Sequence, residues 1–194
     1  MAHDRAPLPH LFRVLWLFWG LRDHLGEARS WIGQLLPVDD SWEPQTQAEL
    51  QWTAAVTAVE VVGEDQATLA AASQRLESLL ARIRDPYLHV ISQLAMAGIS
   101  TVVGDFEGAL RGESVGLEEL RGQDEPYWTT VATLTYGLVE TAMGRLDAAL
   151  GHLREARALA DRFDHAGLSA WSQVQLGLLA LVRGRPRGGP GAAG

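Results

Sequence analysis

Asp23, Gly63, Gly104, Gly144 and Gly184 recur at intervals of 40, 41, 40 and 40 residues, so the chain reads as a repeat before anything else about it is known. The clearest copies are G-D-F-E-G-A-L (Gly104 to Leu110) and G-R-L-D-A-A-L (Gly144 to Leu150). At matching distances before them stand D-P-Y (Asp85 to Tyr87) and E-P-Y (Glu125 to Tyr127). A period of about 20 to 50 residues marks a supersecondary unit that cannot bury its apolar face alone and must stack on its neighbours.

Within each copy the apolar residues fall at helical spacing. In the fourth, Leu134, Leu138 and Ala142 mark one helix, and Leu146, Ala149, Leu150, Leu153, Ala156, Leu159 and Ala160 mark the next. Two stripes that face each other across a glycine-centred turn make a helical hairpin. Ala28, Ala109 and Ala149 each stand five positions after the turn residue, where two helices can approach closely only over a short side chain. Pro86 and Pro126 fit the first helical turn, with Asp85 and Glu125 before them as caps. The pattern predicts an all-α, right-handed α-solenoid of hairpins with a period of about 40 residues. Its repeat domain spans 8–183, in repeats at about 8–40, 45–84, 85–124 and 125–165 and a half repeat at 166–183. Residues 1–7 are expected to be a disordered N-terminus. Residues 184–194, rich in glycine and proline, are expected to be a disordered tail.

Composition narrows the chemistry. The formal net charge is −8, which disfavours direct nucleic-acid binding. All sixteen basic residues are arginine, so a phosphate-binding P-loop lysine and a Schiff-base lysine are both excluded. Cysteine is absent, which removes disulfides, thiolate metal sites and thiol nucleophiles and fits a cytoplasmic protein. The six histidines never pair at i, i+3 or i+4, so no helical metal site is expected, and no cofactor is called for. The uncharged run Ala166 to Val182 includes Ser169, Ser172, Gln173 and Gln175, which suits a solenoid helix and not a membrane span.

The pattern G-x-[aromatic or Leu]-x-x-A after an amphipathic helix resembles the tetratricopeptide class. The longer repeat, and the opening L-F-R-V-L-W-L-F-W-G-L-R-D-H-L-G-E-A-R-S-W (Leu11 to Trp31), are similar to the MalT-type variant in the sensor arms of large LuxR-type ATP-dependent bacterial transcription regulators. The resemblance covers about residues 8 to 184. Gly137 and Gly177 fit its pattern, whereas Trp16 and Val56 depart from it, and Thr68 stands where other repeats carry alanine. The resemblance implies a non-catalytic interaction or inducer-sensing arm. Its partner would be a protein or peptide, or a small inducer. The ATPase and DNA-binding parts of such regulators have no counterpart in this sequence.

Polar or aromatic residues out of pattern on the first helix of each hairpin are the candidate groove residues: Gln51, His89, Gln93, Thr133, Tyr136, Glu140 and Gln173. A stand-alone adaptor or scaffold is the alternative reading. A remoter one is a serine hydrolase, because G-E-S-V-G (Gly112 to Gly116) matches the nucleophile-elbow motif around Ser114. That chemistry needs a strand running into a sharp turn, and Phe106 to Leu120 reads as helix. The first helix is apolar nearly all round from Leu11 to Trp19, and the last, with Trp171, Leu178 and Leu181, lacks a following helix. Both ends therefore invite a cover, and an end-to-end homodimer would provide one. In GC-rich codons, a one-base shift over Arg187 to Gly194 reads E-A-A-R-A-L-L, a good repeat helix, so a truncated or frameshifted member of a longer protein is expected.

Overall fold

The computed structural model describes residues 8–22, 24–35, 41–60, 65–120 and 123–184; the expected N-terminal segment, the turn at Gly63 and the tail from residue 185 lie outside them. Among the described residues the elements are nine α-helices and no strand. They are α1 (Leu8–Leu21), α2 (Leu25–Leu35), α3 (Pro44–Glu60), α4 (Gln66–Leu80), α5 (Pro86–Val102), α6 (Phe106–Leu120), α7 (Pro126–Ala142), α8 (Leu146–Arg162) and α9 (Ala166–Gly184). The chain divides into two compact units, Met1–Glu119 and Leu120–Gly194. None of the described helices is long and apolar enough to cross a membrane.

The turns explain the period. Four times among the described residues, the backbone N–H three residues past the end of a helix reaches back five residues to a carbonyl: His24 to Trp19, Asp105 to Ser100, Arg145 to Glu140 and His165 to Ala160, at 2.8 to 3.0 Å. In the last three the closure is made by a left-handed residue just after the helix. Gly104 (φ 85°) and Gly144 (φ 73°) supply it, and Asp164 (φ 57°) does so between α8 and α9. Gly184 is instead the last residue of α9.

Helix starts follow the sequence less uniformly. Asp85 caps α5 by accepting from the Tyr87 N–H at 2.9 Å, with Pro86 in the first turn. Glu125, one repeat later, makes no side-chain cap bond, because its longer side chain does not fold back onto the turn as an aspartate does. Asp65 caps α4 through the N–H and hydroxyl of Thr68, at 2.9 and 2.7 Å, and those bonds hold its carboxyl below the ordinary 3.8.

In the first unit α3 is the central element, touching α1, α2, α4 and α5. Trp52 is fully buried on it, donating its indole N–H to the Ile91 carbonyl of α5 at 2.9 Å and taking Trp16 edge-on at 5.5 Å. Phe12 and Trp19 of α1 meet edge to face at 5.3 Å and pack with Ala28, Ile32 and Leu50. Trp31, although one of the first repeat's three tryptophans, points outward and is half exposed.

In the second unit α7 packs on α8, and α9 packs on both. Leu134, Ala149, Leu153, Ala156 and Leu179 form its buried core. Ala28, Ala109 and Ala149, the small residues at the common register, are all completely buried. The approach of α7 to α8 is set by Gly137, where an added Cβ would stand 2.9 Å from Leu153 Cγ and 3.3 Å from the Ala149 carbonyl oxygen.

The three glycines of α6 have separate uses. A Cβ on Gly112 would stand 3.0 Å from the Cβ of Ala97, and one on Gly116 would stand 2.7 Å from Leu94, so both bring α6 close to α5. Gly108 instead leaves room for the Asp105 carboxylate, which accepts the Gly108 N–H at 2.9 Å.

Candidate functional site

In a repeat of this kind, residues about one period apart come to lie side by side on neighbouring helices. His10 Nδ1 and Arg13 Nε of α1 meet Glu49 of α3 at 2.9 and 3.1 Å, across 39 and 36 residues. Gln45 of α3 donates to Asp85 at the start of α5, 40 residues on, at 3.4 Å. The Arg13 guanidinium also lies 5.6 Å from the centre of the Tyr87 ring. The starts of three successive first helices are thus joined into one polar surface. Reading each helix separately misses these partners. A search for complementary charges spaced by roughly one period finds them.

The candidate residues of α5 form a second cluster. His89 Nδ1 lies 3.2 Å from Glu119 Oε2 on α6, and Gln93, one turn along α5, donates its amide to Glu119 Oε1 at 3.2 Å. The arrangement that satisfies both is a His89 Nδ1–H and the Gln93 amide donating to one carboxylate, which accepts twice. His89 and Glu119 are each about one third exposed, so the group is held and still accessible.

In the second unit the polarity across the hairpin is reversed. Glu140 of α7 is the carboxylate, nearly buried, and His152 of α8 meets it at 2.8 Å. Tyr136, one turn before Glu140, covers the imidazole with ring centres 4.6 Å apart. Thr133 is buried on the same helix, its hydroxyl donating to the Thr129 carbonyl at 2.7 Å.

Gln173 lies on α9 in an open cleft of about 390 Å³ between α8 and α9. It accepts from Arg157, and beside it Ser169 donates to Asp161 at 2.5 Å. His165 closes the end of this cleft and caps α9, its Nδ1 accepting the Leu168 N–H at 3.1 Å. Gln51 is set apart from these groups: it is buried on α3, and its Oε1 meets no donor among the described residues. The structure therefore brings His89 with Gln93, and Tyr136 with Glu140. It places Gln51, Thr133 and Glu140 beneath the surface.

No group of three His or carboxylate side chains among the described residues is placed to hold a metal ion. Ser114 is half-buried in the middle of α6, and its flanking glycines serve the α5 contact. The strand-to-helix turn that exposes a nucleophilic serine is not present there.

No family model matches the chain, and no curated protein matches it. Solved structures do. A Signal Transduction ATPase with Numerous Domains (STAND) protein with a tetratricopeptide repeat sensor, from Pyrococcus horikoshii, superposes with a TM-score of 0.70 at 16% identity, over 90% of this chain and 26% of that one. The apo form of RapI superposes with a TM-score of 0.64 at 14% identity, over 90% of this chain and 64% of RapI. The chain thus spans about a quarter of the first protein and under two thirds of the second. At such identities the likeness is one of fold, and the fold is an all-α array of tetratricopeptide-like helical hairpins.

Proposed function

We propose that this chain is a non-catalytic binding module that takes a protein segment or peptide on the first helices of each unit, and that it serves as the sensor or interaction arm of a LuxR- or MalT-like transcription regulator. The observation that carries the reading is the side-by-side packing of successive first helices, α1 with α3 and α3 with α5 in one unit and α7 with α9 in the other. That packing sets polar side chains from different repeats at a regular spacing, as an extended ligand requires.

In this reading His89 and Gln93 are the ligand contacts of the first unit, and Tyr136 and Gln173 are those of the second, each unit offering its own surface. Gln51, Thr133 and Glu140 act from below, by orienting the helices and, for Glu140, the His152 ring. A small inducer on the same face is the variant of this reading that the sensor role suggests. The repeat boundaries proposed from the sequence, a cytoplasmic location and an origin as part of a longer regulator complete the proposal.

Selection of binding peptides from a displayed library, followed by hydrogen exchange on the complex, tests it. Protection should concentrate on α5 and α7, and His89→Ala and Tyr136→Ala should each weaken binding. Protection confined to α4, α6 or α8 would refute the face assignment. The regulator role is checked by reading the DNA on both sides of the gene for ATPase and helix-turn-helix frames; their absence favours a free adaptor.

A further inference from the structure

Glu49 and Glu119 are two carboxylates of the first unit, and they differ in what neutralises them. The Glu49 side chain is 10% exposed and takes Arg13 at 3.1 Å together with His10 at 2.9 Å. That of Glu119 is 36% exposed, and its partners are the His89 ring and the Gln93 amide, each at 3.2 Å, with no arginine among the described residues. Helix α5 adds no compensating charge, because Pro86 to Val102 contains no Asp, Glu or Arg. What α5 and Glu119 present together is an otherwise uncharged polar surface that carries one anion. The same carboxylate fixes the imidazole. His89 Nδ1 lies so near Glu119 Oε2 that two facing lone pairs would repel, so Nδ1 carries the proton and Nε2 of the neutral ring is left as an acceptor. Each oxygen of Glu119 accepts one bond in this arrangement and keeps a further lone pair.

We infer that this group reads a basic residue of the bound segment: an arginine side chain pairs with Glu119, while a main-chain N–H beside it donates to His89 Nε2. The inference rests on the ligand face proposed above and names what that face selects in the first unit. Both free acceptors ask for donors, and the uncompensated carboxylate asks for a cation. A guanidinium meets the demand better than an ammonium, because its planar fork donates to both carboxylate oxygens and it is the more weakly hydrated of the two. An acidic residue in the same place would meet Glu119 with no arginine beside it to relieve the repulsion, so the site excludes as well as selects. The formal net charge of −8 favours the approach of a basic segment in the same sense. Glu119 is then both a contact and the positioning residue that turns His89 into an acceptor.

The test uses the full chain and arrays of short peptides in matched sets, with arginine, citrulline or glutamate at one position. The arginine members should bind and should weaken as salt is raised. Citrulline, which keeps the shape and loses the charge, should weaken binding by roughly fivefold or more, and glutamate should abolish it. Glu119→Gln should cost the arginine peptides as much as citrulline does and leave the citrulline peptides unchanged. Glu118→Gln removes the same charge from the exposed neighbouring residue and should leave both unchanged. Imidazole nitrogen NMR should place the His89 proton on Nδ1 in the parent and lose that preference in Glu119→Ala. Peptides that protect α5 from hydrogen exchange equally well with citrulline, an arginine preference that survives Glu119→Gln, or a His89 proton on Nε2 would overturn the inference and leave the ligand face standing. No protection of α5 by any peptide would overturn both.

Discussion

Gly137 and Gly177 sit at one register of the repeat, and the structure predicts opposite signs for the same substitution at the two. Alanine in a helix gains roughly 0.5–1 kcal/mol over glycine wherever its Cβ is free. At Gly177 it is free, since nothing stands within 4 Å, and Gly177→Ala should stabilise by that amount. At Gly137 the new methyl would stand 2.9 Å from Leu153 Cγ and 3.3 Å from a backbone oxygen. The leucine cannot turn aside, because it is completely buried in the core with Ala149, Ala156 and Leu179. Overpacking of this kind costs about 1–3 kcal/mol, which exceeds the propensity gain and leaves Gly137→Ala about 1 kcal/mol less stable than the parent. Urea or thermal unfolding followed by circular dichroism will measure both. Each kcal/mol is worth about 2–4 °C in a chain of this size, so the two variants should move apart in Tm by about 3–8 °C. A double-mutant cycle sharpens the point: in a Leu153→Ala background the side-chain clash is gone and only the 3.3 Å approach to the Ala149 carbonyl remains, so Gly137→Ala should lose most of its cost. Shifts of the same sign at the two glycines would refute the claim that Gly137 sets the approach of α7 to α8.

Gly144→Ala, at φ 73°, should destabilise by about 1 kcal/mol, whereas Asp164→Gly, at φ 57°, should stabilise by a few tenths to about 1 kcal/mol, both read from chemical unfolding. Trp52→Phe removes buried volume and the bond to the Ile91 carbonyl, and should cost the first unit about 2 kcal/mol in urea unfolding. The Asp65 carboxyl is lowered by its bonds to Thr68, so its stabilising effect is full above the ordinary 3.8 and is lost as pH falls through the lowered value. Amide exchange at the start of α4 should therefore rise only in strong acid, and in Asp65→Asn that acid dependence should vanish.

Much of the architecture was legible because it is local. The 40-residue period, the glycines in the left-handed turns, the alanine five residues later and the amphipathic spacing of α7 and α8 each express one helix or one turn. Such features need no knowledge of distant neighbours. The candidate site was legible only in part. Polar residues out of pattern led to His89, Gln93, Tyr136 and Glu140, but their partners Glu119 and His152 lie on the second helices, where a charged residue is unexceptional. Gln51 looked like a groove residue because it is polar, yet α3 is enclosed by four helices and has little free surface.

What the sequence determined by itself is the unit: two helices, a closing turn, and apolar stripes that must be covered, because periodicity and backbone conformation are set within a few residues. The tertiary structure alone decided which of those stripes are covered. Gly137 and Gly177 are the same residue at the same register, and a neighbouring helix makes one a packing notch while the other faces open space.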